Sequence, residues 1–292
     1  MPSRDLVLIA ILTICAVQGA CSDEEDPATP HDVSITFQAL VGAQPADCAS
    51  VYSGLGESGV EARLADARLF VSQVELRAST GEWQTVELVD SEWQHDGVAL
   101  LDFEDGTGAC ADSGTNETNT LVAGVVPNGL YDGVRFRVEV PFELNHVDNA
   151  TAPAPFNVPG MFWTWQGGYK FLRVDWMVTG GSVPRWNVHI GSTGCMSTAP
   201  TEAPTARCSR PNASRIEVSD FDVDSDILTI DLAAIVTLAD LSANTQDTPP
   251  GCMSSPSEPQ DCAAVFSSLG LSFDAGDCVE NCSTQTIFSA AP

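Results

Sequence analysis

Four histidines, His31, His95, His146 and His189, and the triplet Trp163-Thr164-Trp165 are the side chains whose type and placement could do chemistry in this chain. The triplet lies in "MFWTWQGGYKFLRVD", which also holds Lys170, the only lysine of the sequence. Imidazole is the commonest metal ligand and titrates near neutrality. His146 stands in "PFELNHVDNATAPAP", just past a strand and before a proline-rich loop. His189 stands in "RWNVHIGSTGC", where Trp186, Val188 and Ile190 share one face and Asn187 and His189 point the other way. Both are at strand-to-loop junctions, where side chains from different strands converge. His95 falls in the polar turn "WQHDGVALLDFEDG" and His31 opens the first strand, so both are expected near solvent. Two imidazoles with a soft or aromatic-derived donor suit copper, Cu(I) in particular, better than magnesium or calcium. The competing reading is structural: Trp163 and Trp165 share a face of an extended segment and could fill a core. Lys170 alternates with Leu172, Val174 and Trp176, and is expected to pack there or lay its ammonium on a ring.

Other chemistries leave no mark. There is no H-E-x-x-H, G-x-S-x-G, phosphate-binding loop or dinucleotide fingerprint. "DFEDGTGACADSGTNE" is rich in carboxylates but lacks the closing bidentate Glu of a calcium loop, and is read as a solvated acidic loop. A hydrolase built on two carboxylates has no specific signal among 40 acidic residues.

The elements that must position these residues are strands. "HDVSITFQ" puts His31, Val33, Ile35 and Phe37 on one face, and "ARLFVSQVELR" puts Phe70, Val74 and Leu76 on one face with Ser72 among them. In "GVRFRVEV", Val134, Phe136, Val138 and Val140 point in, while Arg135, Arg137 and Glu139 point out. "YKFLRVDWMV", "RWNVHI" and "ILTIDL" are further strands, separated by turns such as "PNGLYDG" and "TGGSVPRW". The fold class is therefore all-β, an antiparallel sandwich with long Pro/Ser-rich loops. "DLAAIVTLADL" is the segment suited to a helix, and "SPSEPQDCAAVFSSLGL" to a short helical turn.

With 40 acidic against 12 basic residues among 292, the formal charge is −28, which disfavours nucleic acid and anionic lipid as partners. Arg4 and the apolar run "LVLIAILTICAVQGA" make residues 1–20 a signal peptide, too short for a comfortable span. Cys21 follows small residues and precedes "SDEEDPATP", as at a lipoprotein processing site, although Gln18 stands where Leu is preferred. Residues 21–30 then form an acidic tether and 31–292 one domain, placing the protein in the periplasm or on the outer membrane or surface of a Gram-negative cell. Simple secretion is the alternative to lipidation at Cys21. Eight cysteines remain beyond Cys15 and Cys21, and in an exported chain they read as disulfides. Local pairing favours Cys195 with Cys208, Cys252 with Cys262 and Cys278 with Cys282, leaving Cys48 for Cys110, although sequence alone does not fix the connectivity. A thiolate metal pair at Cys278 and Cys282 is the other reading of that spacing.

Together "WQHDGVALLDFEDGTGAC", "PFELNHVDNATAPAP", "MFWTWQGGYKFLRVD" and "VHIGSTGC" resemble the MbnP-like family, the four-cysteine proteins of metallo-mystery pairs. The resemblance runs from about Val33 to Phe288. It implies an exported copper-binding protein, not an enzyme, encoded beside a di-haem cytochrome of the peroxidase/MauG type (MbnH-like). That partner oxidises the first tryptophan of W-x-W to kynurenine, which implies Trp163 as the modified residue and copper ligand. His146 and His189 are then expected to complete the site, with Met161 as a further soft donor left outside the set, and Trp165 to relay electrons. The Cys278–Cys282 pair is an addition to the family's pattern. A cell-surface module that binds glycan or protein through the same aromatic loop, without metal, is the alternative function.

Overall fold

Period-two alternation does build the molecule. In the computed structural model, which describes residues 30–292, β1 (Pro30–Val41) alternates exposed and buried side chains, with Val33, Ile35 and Phe37 inward. The other principal strands are β2 (Val60–Ala78), β3 (Val98–Asp102), β4 (Leu121–Pro127) and β5 (Tyr131–Val138). They continue with β6 (Phe162–Thr164), β7 (Gly168–Tyr169), β8 (Leu172–Thr179) and β9 (Arg185–Ile190). The last are β10 (Ser214–Ser219), β11 (Ile227–Asp231), β12 (Gly251–Cys252) and β13 (Phe288–Ala291). The signal peptide and Cys21 lie outside the described residues.

One sheet runs β13-β11-β1-β4, and the larger runs β10-β5-β2-β8-β9-β12, with β3 also on β2. Their inner faces meet in one hydrophobic core. Phe136 of the larger sheet stands between Phe37 and Phe288 of the smaller, at ring distances of 5.6 and 5.2 Å, both edge-on. The sandwich is not purely antiparallel: β1 pairs β11 in parallel, as β9 pairs β12. The two expected helical segments are α2 (Leu232–Val236), capped by Asp231 on Ala233 N–H at 2.9 Å, and α3 (Pro259–Ser268), with proline in its first turn.

β2 departs from simple alternation. Gln73 takes φ 51°, and the pairing with β5 jumps from Glu75↔Arg135 to Ser72↔Arg137. This bulge turns Ser72 to the outer side with Arg137, and puts Val71 inside with Val74 and Leu76. The expected grouping of Phe70 and Ser72 with Val74 and Leu76 is thus corrected.

From Leu64 to Ser72 both faces of β2 are buried. The covering piece is the segment 141–171, which begins with α1 (Phe142–Asn145) and includes the β6–β7 hairpin. Phe70 projects into it, meeting Phe156 at 6.0 Å and Tyr169 at 5.6 Å. The four disulfides are Cys48–Cys110, Cys195–Cys208, Cys252–Cys262 and Cys278–Cys282, as local pairing favours, so Cys278 and Cys282 form a bridge and not a thiolate pair.

Candidate metal centre

Beneath segment 141–171, beside Phe70, the outer face of the large sheet carries buried charge. Across β2 and β8, Arg68 lies opposite Arg173 and Asp66 opposite Asp175. Like charges directly opposed repel, and the side chains resolve this by pairing along and across the strands. Arg68 pairs with Asp66, Arg173 Nη2 reaches Asp175 at 2.7 Å, and Arg173 Nη1 crosses to Asp66 at 3.0 Å. Glu104 approaches Arg68 at 3.8 Å and accepts Thr115 N–H and Gly106 N–H. Asp102 and Glu104 are 2% and 0% exposed, so the acidic loop is solvated only beyond them; Asp105, Asp112 and Glu117 stay exposed. Burial, with Glu104 nearby, pushes Asp102 up to about 8 despite Arg68.

This layer holds His189. Its register partner on β8 is Arg173, and its Nε2 lies 2.7 Å from Asp175 Oδ1. Burial pushes Asp175 up, but the bond from His189 and the charge of Arg173 outweigh it and hold the carboxyl at about 2. An ionised carboxylate only accepts, so Nε2 of His189 carries the proton and Nδ1 keeps its lone pair. Burial pushes the His189 imidazole below its usual value, against the pull of Asp175.

His146 ends α1 and is 7% exposed. Its Nδ1 lies 2.9 Å from the Trp165 carbonyl, which can only accept. Nδ1 therefore donates, and Nε2 keeps a lone pair that faces the Asn145 amide, which donates to it at 3.3 Å. Burial also lowers this imidazole, opposed by the Trp165 carbonyl. Next door, Asn145 accepts Tyr169 N–H at 2.8 Å and donates to Ser192 Oγ at 2.9 Å, binding α1 to β7 and to the chain after β9. Gly168, at φ +75°, has no room for a side chain there: a Cβ would lie 2.6 Å from Asn145 atoms.

Trp163 belongs to β6 and is half-buried. Its ring lies against Gly191, two residues past His189, where a Cβ would come within 2.7 Å of Trp163 Cζ3. A cleft of about 260 Å³ opens beside it, lined by Trp163, Gln166, Ser192, Thr193, Cys195 and Met253 among others. Trp165 is 38% exposed. The β6–β7 hairpin holds Trp163, binds His146 through its Trp165 carbonyl, and rests its Trp163 ring on Gly191, two residues past His189. His31 stands against Tyr131, and His95, between Asp90 and Asp96, meets the covering segment at Phe156, 6.4 Å between ring centres. Met161 is fully buried in the core, whereas Met253 lines the Trp163 cleft. No periodicity marks Met253, since it lies in a loop placed by the Cys252–Cys262 bridge. Lys170 makes no ring contact: its ammonium donates to Gly160 O at 2.6 Å, and burial beside Arg173 lowers it to about 8.

Both imidazoles thus present one unprotonated nitrogen, the form a soft cation needs. An intact indole adds no donor, because its nitrogen lone pair belongs to the ring.

A family model described as MbnP matches residues 30–254. Among solved structures, MbnP from Methylosinus trichosporium is similar at a TM-score of 0.78 and 29% identity, covering 90% of this chain and 99% of that one. No curated protein sequence matches the chain.

Proposed function

The chain belongs to the MbnP family, and from that premise we propose that it is an exported, non-enzymatic protein that binds Cu(I) through His146, His189 and a kynurenine made from Trp163. The observation that carries this reading is the fixed protonation of the two imidazoles, Nδ1–H of His146 on the Trp165 carbonyl and Nε2–H of His189 on Asp175. Each leaves a lone pair on the other nitrogen; His146 is bonded to the hairpin that holds Trp163, and His189 stands two residues before Gly191, against which the Trp163 ring lies. Opening the pyrrole ring of Trp163 would replace packing surface by an aniline nitrogen, a borderline donor compatible with Cu(I).

The oxidant is a di-haem partner of the peroxidase/MauG type. Trp165, exposed and two residues away, is its electron relay. Bound copper supplies a soft Lewis-acidic centre; the residues of this chain orient the donors and keep water from the Asp175 side. Copper handling in the periplasm or at the cell surface, with Cys21 as an anchor, is the physiological setting of this proposal. The alternative, an aromatic platform for glycan, is less favoured because the Trp163 ring turns against Gly191 and leaves Trp165 as the exposed member.

The test is intact-mass and peptide mass spectrometry of protein co-produced with the di-haem partner, alongside copper stoichiometry. We expect Trp163 to lose one carbon and gain one oxygen, with one Cu(I) bound per chain. Trp163→Phe should lose that copper while keeping its melting temperature. Copper-loaded protein with an unaltered Trp163 would remove the proposal.

A further inference from the structure

Among the four bridges, Cys195–Cys208 has a histidine against it. The ligand atoms of His146, Cys195 and Cys208 lie within 4.8 Å of one another, and no other His/Cys/Asp/Glu trio among the described residues gathers in this way. His146 Nε2, the nitrogen left without a proton, is 3.7 Å from Cys208 Sγ and accepts from Asn145 Nδ2 at 3.3 Å, a bond that metal binding would replace. On the other sulfur, Ser192 Oγ lies 3.6 Å from Cys195 Sγ. Ser192 accepts its own hydrogen bond from Asn145 Nδ2, so its hydroxyl proton is free to point at that sulfur. A donor aimed at sulfur stabilises a thiolate.

Access also separates this bridge from two of the other three; in Cys278–Cys282, Cys278 is half-buried and Cys282 is sealed. Cys208 lines one cleft of about 260 Å³, with Arg137, Phe142 and Arg207, while Cys195 lines the Trp163 cleft. By contrast Cys48–Cys110 and Cys252–Cys262 are sealed, with every one of those residues 0–1% exposed. Attack by a thiolate on a disulfide requires an open path to sulfur.

We propose that reduction of the Cys195–Cys208 bridge by a dithiol turns this corner into a second soft-metal site, in which two thiolates and His146 Nε2 hold a thiophilic cation of the Cu(I) class. In the reduction the dithiol gives up two electrons and two protons and closes to its own disulfide. The protein S–S bond becomes two S–H groups, and each releases its proton to solvent as the cation binds. Two thiolates and an imidazole are a donor set preferred by Cu(I) and Zn(II) over hard cations. The site does not depend on any change at Trp163. It shares His146 with the copper proposal, however, and one lone pair serves one metal, so reduction withdraws that imidazole from the Trp163 side.

The experiment uses the full mature chain carrying Trp163→Phe, treated with dilute dithiothreitol, alkylated in one portion and loaded with Cu(I) in another. Peptide mapping is expected to find Cys195 and Cys208 alkylated before the four cysteines of the sealed Cys48–Cys110 and Cys252–Cys262 bridges. X-ray absorption is expected to show one added Cu(I) per chain with two sulfur neighbours and one nitrogen. In the same background, Cys195→Ser/Cys208→Ser should lose that equivalent. His146→Ala, which keeps both cysteines, should retain the sulfur neighbours and lose the nitrogen. A bridge that opens only after the two sealed ones, or an opened bridge without sulfur-bound copper, overturns the inference. These readouts contain no kynurenine, so they stand or fall separately from the mass change at Trp163.

Discussion

The proton on His189 Nε2 is held there by one oxygen of Asp175, 2.7 Å away, and Asp175 is held in turn by Arg173. A carboxylate behind an imidazole fixes its tautomer and strengthens the opposite nitrogen as a donor. Asp175→Asn would leave the ring free to take the other tautomer. We expect its Cu(I) affinity, measured by competition with a chromophoric chelator, to fall about 10- to 100-fold. It should also lose about 3 kcal/mol of stability, because Arg173 keeps a buried charge with one partner fewer. Unchanged affinity in a folded Asp175→Asn protein would show that His189 does not bind the metal. The histidines themselves were legible in the sequence, since period-two alternation already turned His189 away from the core. Their partners were less so. Asp66-x-Arg68 and Arg173-x-Asp175 are opposite-order pairs that antiparallel strands bring together, but only the register of β2 on β8 shows that like charges oppose and must pair diagonally.

At the scale of elements, the covering segment 141–171 decides what the sheet's outer face can hold. Strand positions and most inward faces could be read from hydrophobic period, and the segments of α2 and α3 from local sequence, because each depends on neighbours along the chain. The bulge at Gln73 and the burial of both faces of β2 could not, because they depend on chain brought in from elsewhere. The same holds for Asp102 and Glu104, which look like loop carboxylates until Arg68 is placed beneath them. The hairpin's seat on Gly191 offers a direct check. Gly191→Ala would put a Cβ 2.6 Å from Tyr169 O and 2.7 Å from the Trp163 ring. Such overpacking costs about 1–3 kcal/mol. We expect a lowered denaturation midpoint and a red-shifted, more quenchable tryptophan fluorescence as Trp163 moves out. A spectrum identical to the native one would mean that the ring does not rest there.

For the molecule as a whole, the buried charge layer makes stability depend on pH in two opposite senses. Asp102 has a folded pKa of about 8 against an ordinary 3.8, so the folded state keeps a proton that the unfolded chain releases. Its contribution falls as pH rises through that interval. Asp175, at about 2, contributes fully above its ordinary value and is lost only as pH falls toward 2. Asp102→Asn keeps the shape and cannot ionise. The unfolding free energy of the native protein should therefore drop relative to this variant between about pH 5 and about pH 8, by an amount on the order of a few kcal/mol. Parallel melting curves across that range would show that Asp102 does not hold the excess proton.

Lys170 gives the molecule a built-in reporter. It is the only lysine of the sequence, it is 8% exposed, and its ammonium is tied to Gly160 within the segment that hides it. Acylating reagents that spare hydroxyls and guanidinium groups therefore have a single internal target, freed when Lys170 lets go of Gly160 and residues 141–171 loosen from the sheet. The rate at which that amine is labelled counts the excursions of this segment, and a cation pinning the hairpin should slow it.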